Sequence, residues 1–443
     1  MGMQKMQSKI SIVGLILAVI TVFLLNWCDS TRFVLFLLLT IVFLTAFIYC
    51  IYESSFKNSP NKLRPGRMKK GIFIIGSLIF AIVFSIFAYA FSPKFGYSSY
   101  VDWQNGTQRL ERMKKSPYYK LDDSGAGEFQ NIRPLITSTS VSILERLKQL
   151  LKLVKEQKNA ETIPTQKTDL ITLDKEADVL VWFGHSSCFI QIEGKRIVVD
   201  PVFSEVSSQF PFFPKAFPGS NVYKTEDIPE IDYLIITHDH WDHLDYETVM
   251  DLKFKNVVCP LSVGAHLERF GIDPAIIIEM DWNENIKIGE NYSIHCFPAR
   301  HYSRRGIKRN QTLWASFLIE TPTSFKIFIG GDGGYDSTFA EIGKKFGGID
   351  LAILENGKFN EPLSWHMQSE ETIKATEDLK AKALLPVHVA KFKLASSDYP
   401  WYFPLDKIFE LSKNKNFKLL TPMIGQKIEL KNANQKFKKW WKK

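Results

Sequence analysis

The chain opens on three almost wholly apolar runs, residues 10–25, 33–52 and 71–91. Each is close to the ~20 residues a helix needs to cross a hydrocarbon core. Buried globular helices ordinarily keep a polar face, and these runs have none, so the pattern predicts three transmembrane helices within residues 1–91. A signal peptide is the alternative for the first run, but Asn26, Trp27 and Cys28 follow it where a small-residue cleavage site would stand. Lys5 and Lys9 precede the first run, and Lys57, Lys62, Arg64, Arg67, Lys69 and Lys70 separate the second from the third. That distribution puts the amino terminus and the second loop in the cytoplasm. Everything beyond the third run is then expected on the outer, periplasmic side, in a multi-pass membrane protein.

Residues 92–178 are polar, broken by Pro117, Pro134 and Pro164, with one amphipathic helical stretch at 141–154; they read as a linker and lead-in. Short β-rich runs follow at 179–183, 188–192, 196–199, 233–237, 292–297, 315–320, 325–329, 351–354 and 383–387. Helical stretches at 339–346 and 370–380 fall among them. Strands crowded early and alternating with helices later predict a layered α/β domain over 179–430, with helices outside packed sheets. The tail 431–443 mixes lysines with Trp440 and Trp441, the composition of an interfacial anchor or of a basic end.

Composition narrows the partners more than the fold. The 443 residues, 45% of them hydrophobic, exceed what one core needs, and a formal charge of +9 favours anionic partners such as phospholipid headgroups or nucleic acid. The five cysteines, at 28, 50, 188, 259 and 296, include no CxxC pair and make neither a disulfide framework nor a zinc-thiolate motif.

The chemistry is concentrated in Thr237-His238-Asp239-His240-Trp241-Asp242-His243, an HxHxDH directly after an apolar strand. Three imidazoles and a carboxylate so close together let one loop serve two ions, and mixed nitrogen and oxygen donors suit zinc, manganese or iron. His301, Asp332 and His388 each follow a later strand, Asp332 inside Gly330-Gly331-Asp332-Gly333-Gly334, where glycines allow a sharp turn. His185, in Gly184-His185-Ser186, and His366, in Trp365-His366-Met367, are further candidates; His266 and His295 have no supporting pattern.

The series HxHxDH, His, Asp, His resembles the metallo-β-lactamase superfamily. Trp182-Phe183-Gly184-His185-Ser186-Ser187, Val199-Asp200-Pro201-Val202-Phe203 and Gly331-Asp332-Gly333-Gly334-Tyr335 resemble more closely its branch containing N-acyl-phosphatidylethanolamine-hydrolysing phospholipase D and bacterial relatives. Gly333 departs from the threonine that branch often carries. The resemblance implies a four-layer αββα sandwich and two divalent ions, zinc by expectation. It implies that His238, His240 and His301 hold one ion, Asp242, His243 and His388 the other, and that Asp332 bridges them. Asp200 and His185 would support the ligands, and His366 would lie near the substrate. The implied activity is hydrolysis of a phosphodiester lipid by a hydroxide bridging the metals, with Asp242, Asp332 and His366 as the catalytic set. Phe210-Pro211-Phe212-Phe213-Pro214 offers an aromatic loop for an acyl chain or an interface. A lactonase or other soluble-ester hydrolase, a nuclease and a non-catalytic membrane scaffold are the alternatives. A nucleic-acid partner is disfavoured because no further gripping domain is visible.

Overall fold

The computed structural model describes residues 106–442, apart from 124–126, 136–141, 143–147, 149–150, 156–160, 209–213, 290, 307, 358–363, 395–398 and 433. The predicted amphipathic stretch at 141–154 lies largely outside the described residues, as does the core of the aromatic loop, 209–213.

A helix, α1 (Gly106–Lys115), and a hairpin of β1 (Tyr119–Leu121) and β2 (Gly127–Phe129) come first, within the segment expected as linker. One mixed sheet then takes β3 (Val179–Trp182), β4 (Cys188–Ile192), β5 (Lys195–Val199), β6 (Ile231–Ile235), β7 (Phe254–Pro260) and β8 (Ile277–Met280). A second takes β9 (Asn285–Ile288), β10 (Tyr292–Pro298), β11 (Ala315–Glu320), β12 (Lys326–Ile329), β13 (Leu351–Glu355), β14 (Ala383–Val387) and β15 (Lys418–Leu419). The last strand, β16 (Lys427–Glu429), returns to the first sheet and pairs antiparallel with β3.

Alternation along these strands builds the layers, because successive side chains point to opposite faces. Ile197 and Val199 of β5 share one core with Ile327 and Ile329 of β12, whereas Val198 and Phe328 turn outward. Val198, Leu234 and Val257 pack under α2 (Tyr246–Asp251) and α3 (Gly264–Phe270) through Val249, Leu267 and Phe270. On the other side Leu318, Phe328 and Leu354 meet α4 (Thr338–Phe346), α5 (Ser369–Asp378) and α6 (Phe403–Ser412) through Ile342, Ile373 and Ile408. The result is an αββα sandwich. Both faces of the central strands are covered, which is why their sequences read as continuous apolar runs. Burying each large aliphatic side chain contributes about 1.5–3 kcal/mol.

Strand direction decides where the chemistry sits. β5, β6 and β7 run parallel, as do β12, β13 and β14, and β3 and β10 share the direction of their own sheets through two antiparallel steps. The loops leaving β3, β5, β6, β10, β12 and β14 carry His185, Asp200, the HxHxDH, His301, Asp332 and His388 respectively. In open parallel arrangements this carboxyl end of the strands is where sites form.

The integral-membrane reading is corrected. No helix among the described residues is long and apolar enough to cross a membrane; a ten-residue helix such as α1 spans about 15 Å, half a hydrocarbon core. The three apolar runs lie outside the described residues, and the outer placement that depended on them is withdrawn. The tail's aromatic residues pack on the domain: Trp441 is buried, and its indole N–H donates to Asp406 at 2.9 Å, while Trp440 donates to the Thr421 carbonyl at 3.1 Å.

Candidate metal centre

The loops at this end hold unusual backbone. His185, Asp200 and His388 have φ of 53°, 41° and 64°, the left-handed region that costs a side-chain-bearing residue of order 1 kcal/mol or more. Gly331 has φ 61°, and a Cβ there would lie 3.0 Å from that of Thr237, so glycine lets the Asp332 loop pass against the HxHxDH loop. His185 and His388 are tied to each other by their backbones, the His388 N–H donating to the His185 carbonyl at 2.9 Å.

The seven expected metal ligands, with His185 and His366, lie in one cluster, buried except at half-buried His240. Donor atoms of His238, His240 and His301 fall within 4.8 Å of one another, as do those of His185, Asp242, His243 and His388, and those of His238, His243 and Asp332. Asp332 stands between the sets: its Oδ1 is 3.2 Å from His243 Nε2, and its Oδ2 is 3.0 Å from His388 Nε2 and 4.0 Å from His301 Nε2. Asp242 Oδ2 lies 3.6 Å from His388 Nε2 and 3.7 Å from His243 Nε2.

Hydrogen bonds behind the cluster set the imidazole tautomers. Asp200, buried, accepts the Thr237 N–H at 2.8 Å, the Thr237 hydroxyl at 2.6 Å and His243 Nδ1–H at 2.7 Å. With its proton given to Asp200, the Thr237 oxygen accepts from His238 Nδ1–H at 3.0 Å. His301 Nδ1–H donates to the Trp365 carbonyl at 2.9 Å. Each of the three rings thereby uses Nδ1 as a donor and turns Nε2 toward the centre. His185 Nε2–H donates to Asp242 Oδ2 at 2.8 Å, fixing that carboxylate, and the ring lies tilted against that of His388 with centroids 4.1 Å apart. Asp239 points away, toward His266 at 3.4 Å, and accepts the Arg304 N–H at 2.9 Å, which steadies the loop.

Electrostatics fit a site made for cations. Burial, then the neighbouring imidazoles, push His238 and His301 well below the usual histidine range, so both are neutral donors. Burial and the charge of His388 lower His185 to about 3. Burial opposes the charge of His388, yet Asp332 and Asp242 raise it to about 9; His243 is raised well above its ordinary value against burial by Asp332, Asp242 and Asp200. Among the described residues no lysine or arginine pairs with Asp242 or Asp332; only imidazoles do. The Nε2 atoms of His238, His243 and His388 and Oδ1 of Asp332 are buried with no hydrogen-bond partner, a set of inward donors that divalent cations satisfy.

Two residues here were not legible in the sequence. Glu355 ends β13 fully buried, accepting the Gly333 N–H at 2.6 Å, the Met367 N–H at 3.3 Å and His366 Nδ1–H at 2.6 Å. It brings His366 to 3.9 Å from Asp332, and its only sequence signal is a carboxylate closing an apolar strand. Asn131 contacts His301 from the lead-in segment and carries no signal at all.

The family described as beta-lactamase superfamily domain matches residues 195–389. An uncharacterized protein of Mycobacterium tuberculosis is 32% identical over 292 residues, covering 64% of this chain and 77% of its own. The N-acyl-phosphatidylethanolamine-hydrolyzing phospholipase D 1 of Caenorhabditis elegans is 29% identical over 293 residues, covering 60% and 82%. Among solved structures, Igni18, a metallo hydrolase from the archaeon Ignicoccus hospitalis, is similar at 18% identity over 57% of this chain and 97% of its own, with a TM-score of 0.40. The chain belongs to the metallo-β-lactamase superfamily, as a metal-dependent hydrolase fold resembling the N-acyl-phosphatidylethanolamine-hydrolysing phospholipase D branch.

Proposed function

We propose that the chain is a dinuclear zinc phosphodiesterase of phospholipase D type, hydrolysing N-acyl-phosphatidylethanolamine-like lipids to an N-acylethanolamine and a phosphatidic acid. The observation that carries this reading is Asp332, one carboxylate held between two sets of inward-facing imidazoles. His238, His240 and His301 would hold one cation, Asp242, His243 and His388 the other, and Asp332 both. Cations so held supply Lewis acidity toward a phosphoryl oxygen and acidify a water toward neutral pH. Similarity to the worm phospholipase D supports the choice of substrate.

The chain's own residues do the remaining work. Asp200 and Thr237 keep the protons of His243 and His238 on Nδ1, away from the centre. His185 holds the direction of Asp242. Glu355 holds Nδ1 of His366, which positions that ring to hydrogen-bond an oxygen of the scissile diester or to carry a proton to the leaving group. Tyr302 lies over the site with its ring 4.8 Å from those of His240 and His301, and with Trp365 at 6.0 Å forms an aromatic wall suited to the apolar part of a lipid.

The test uses the purified full chain, with metal content measured on the same sample that is assayed. Substrates are N-acyl-phosphatidylethanolamine in mixed micelles, a soluble phosphodiester, a lactone and RNA, each with and without chelator. Chelator-sensitive release of phosphatidic acid is expected. Hydrolysis confined to the lactone or RNA, or a metal-loaded sample inert on all four, overturns the proposal.

A further inference from the structure

We infer that the lead-in segment is a working part of the metal centre, with Asn131 as the residue that positions His301. The loop leaving β10 has little regular pairing of its own, an isolated bridge between Arg300 and Gly334 being its contact with the second sheet's Asp332 loop. The side-chain amide of Asn131 supplies what a neighbouring strand would. Its Oδ1 accepts the His301 N–H at 3.1 Å, and its Nδ2 donates to the His301 carbonyl at 2.7 Å. The two bonds fix the His301 backbone, while Trp365 fixes the ring through Nδ1. Together they aim Nε2.

The surrounding contacts show a strap running along the loop. The Phe129 N–H donates to the Asn310 carbonyl at 2.8 Å, Gln311 Nε2 to the Gly127 carbonyl at 3.0 Å, and Arg300 Nη2 to the Pro134 carbonyl at 3.0 Å. The strap is anchored at its other end. Arg109 is buried between Glu268 and Glu279, Met113 is fully buried, and Asn283 donates to the Tyr118 hydroxyl at 2.8 Å. An amide is required at 131 because the two bonds need one acceptor and one donor. Aspartate has the same shape, but it would set a carboxylate oxygen against the His301 carbonyl.

This inference rests on the reading that His301 holds a cation. In the full chain, zinc affinity is measured by competition with a chromophoric chelator, and ligand geometry by the visible spectrum after cobalt substitution. Asn131→Ala and Asn131→Asp are each expected to weaken the ion assigned to His238, His240 and His301 by about tenfold or more and to alter the cobalt spectrum. Arg112→Ala, which breaks only the exposed pair with Glu284 at the far end of the strap, is expected to match the unsubstituted chain in both readouts. If Asn131→Ala fails to fold, Asn131→Asp, which keeps the size and one of the bonds, carries the comparison. A folded Asn131 variant with unchanged zinc competition and cobalt spectrum overturns the strap alone. An unsubstituted chain that takes up no ion overturns the metal centre and this inference with it.

Discussion

Replacing Asp200 by asparagine changes one atom and should disturb two imidazole rings. In the parent, Oδ2 accepts from both the Thr237 hydroxyl at 2.6 Å and His243 Nδ1–H at 2.7 Å, while Oδ1 accepts the Thr237 N–H at 2.8 Å. If the new amide keeps its oxygen toward the Thr237 N–H, its NH2 meets two groups that were donors. Thr237 must then accept, turn its own proton toward His238 Nδ1 and drive that ring's proton to Nε2; His243 Nδ1 must likewise accept, which puts its proton on Nε2 as well. Both nitrogens are the ones with no hydrogen-bond partner that face the centre, and a protonated nitrogen cannot coordinate. The opposite rotamer sets NH2 against the Thr237 N–H, at a cost of about 1–3 kcal/mol for the unmet buried donors. Losing such supporting bonds typically costs 10–100-fold in metal affinity, roughly 1.4–2.8 kcal/mol, and here both ions should be affected. The assay is zinc retention against a chelator on the full chain, paired with long-range proton–nitrogen NMR that reads the histidine tautomers. Two ions held at parental affinity, with His238 and His243 still protonated on Nδ1, would refute the relay from Asp200 through Thr237.

Lys391, fully buried with Nζ donating to the Val202 carbonyl at 2.7 Å, is pushed down by burial from 10.5 to about 7. The unfolded chain keeps that proton up to about 10.5, so between the two values it binds the extra proton and parental stability should rise with pH by up to ~1.4 kcal/mol per unit, whereas below 7 the burial penalty stands in full. Denaturant melts of Lys391→Met should lack this rise, the variant comparing best with the parent at pH 6 and worst at pH 9; parallel curves would count against it. A methyl group at Gly357 would fall on the His388 carbonyl oxygen and 2.7 Å from its Nδ1, so Gly357→Ala should cost about 1–3 kcal/mol in thermal unfolding and loosen zinc, and a neutral effect would show that this loop yields freely.

Much of the sandwich was legible because each sheet is buried on both faces. The apolar runs at β3, β4, β11, β12 and β14 announced themselves, and the ligands stood at their ends. What the pattern missed were elements of mixed exposure: β7 begins with Phe254, Lys255 and Asn256 at its more open end, and β9 alternates exposed and covered positions along Asn285–Ile288. The metal ligands could be read because coordination admits few residue types at strand ends. Asn131 could not, since it acts 170 residues away in sequence and an asparagine in a polar lead-in segment is ordinary. The tail misled in a related way. Lysines beside tryptophans suit an interface, but Asp406 takes Lys439 at 2.6 Å and the Trp441 indole at 2.9 Å, a pairing that only the folded α6 provides.

Left-handed backbone and unpartnered buried groups occur elsewhere in the domain too, but at the ligand end they coincide with buried carboxylates and imidazoles, and that coincidence is itself an argument. Left-handed backbone at His185, Asp200 and His388, buried nitrogens without partners, and two carboxylates matched only by imidazoles each cost folding free energy where they occur. The inter-sheet core, by contrast, keeps regular alternation through Ile197, Val199, Ile327 and Ile329. Donors at this end come from both sheets, the HxHxDH from the first and His301, Asp332 and His388 from the second. Cations bound there would therefore offset the local cost and also join the two sheets across the mouth of the sandwich. The same groups left bare would add to the backbone bonds between the His185 and His388 loops only imidazolium pairing with Asp242 and Asp332, an arrangement that depends on protons where the cations would not.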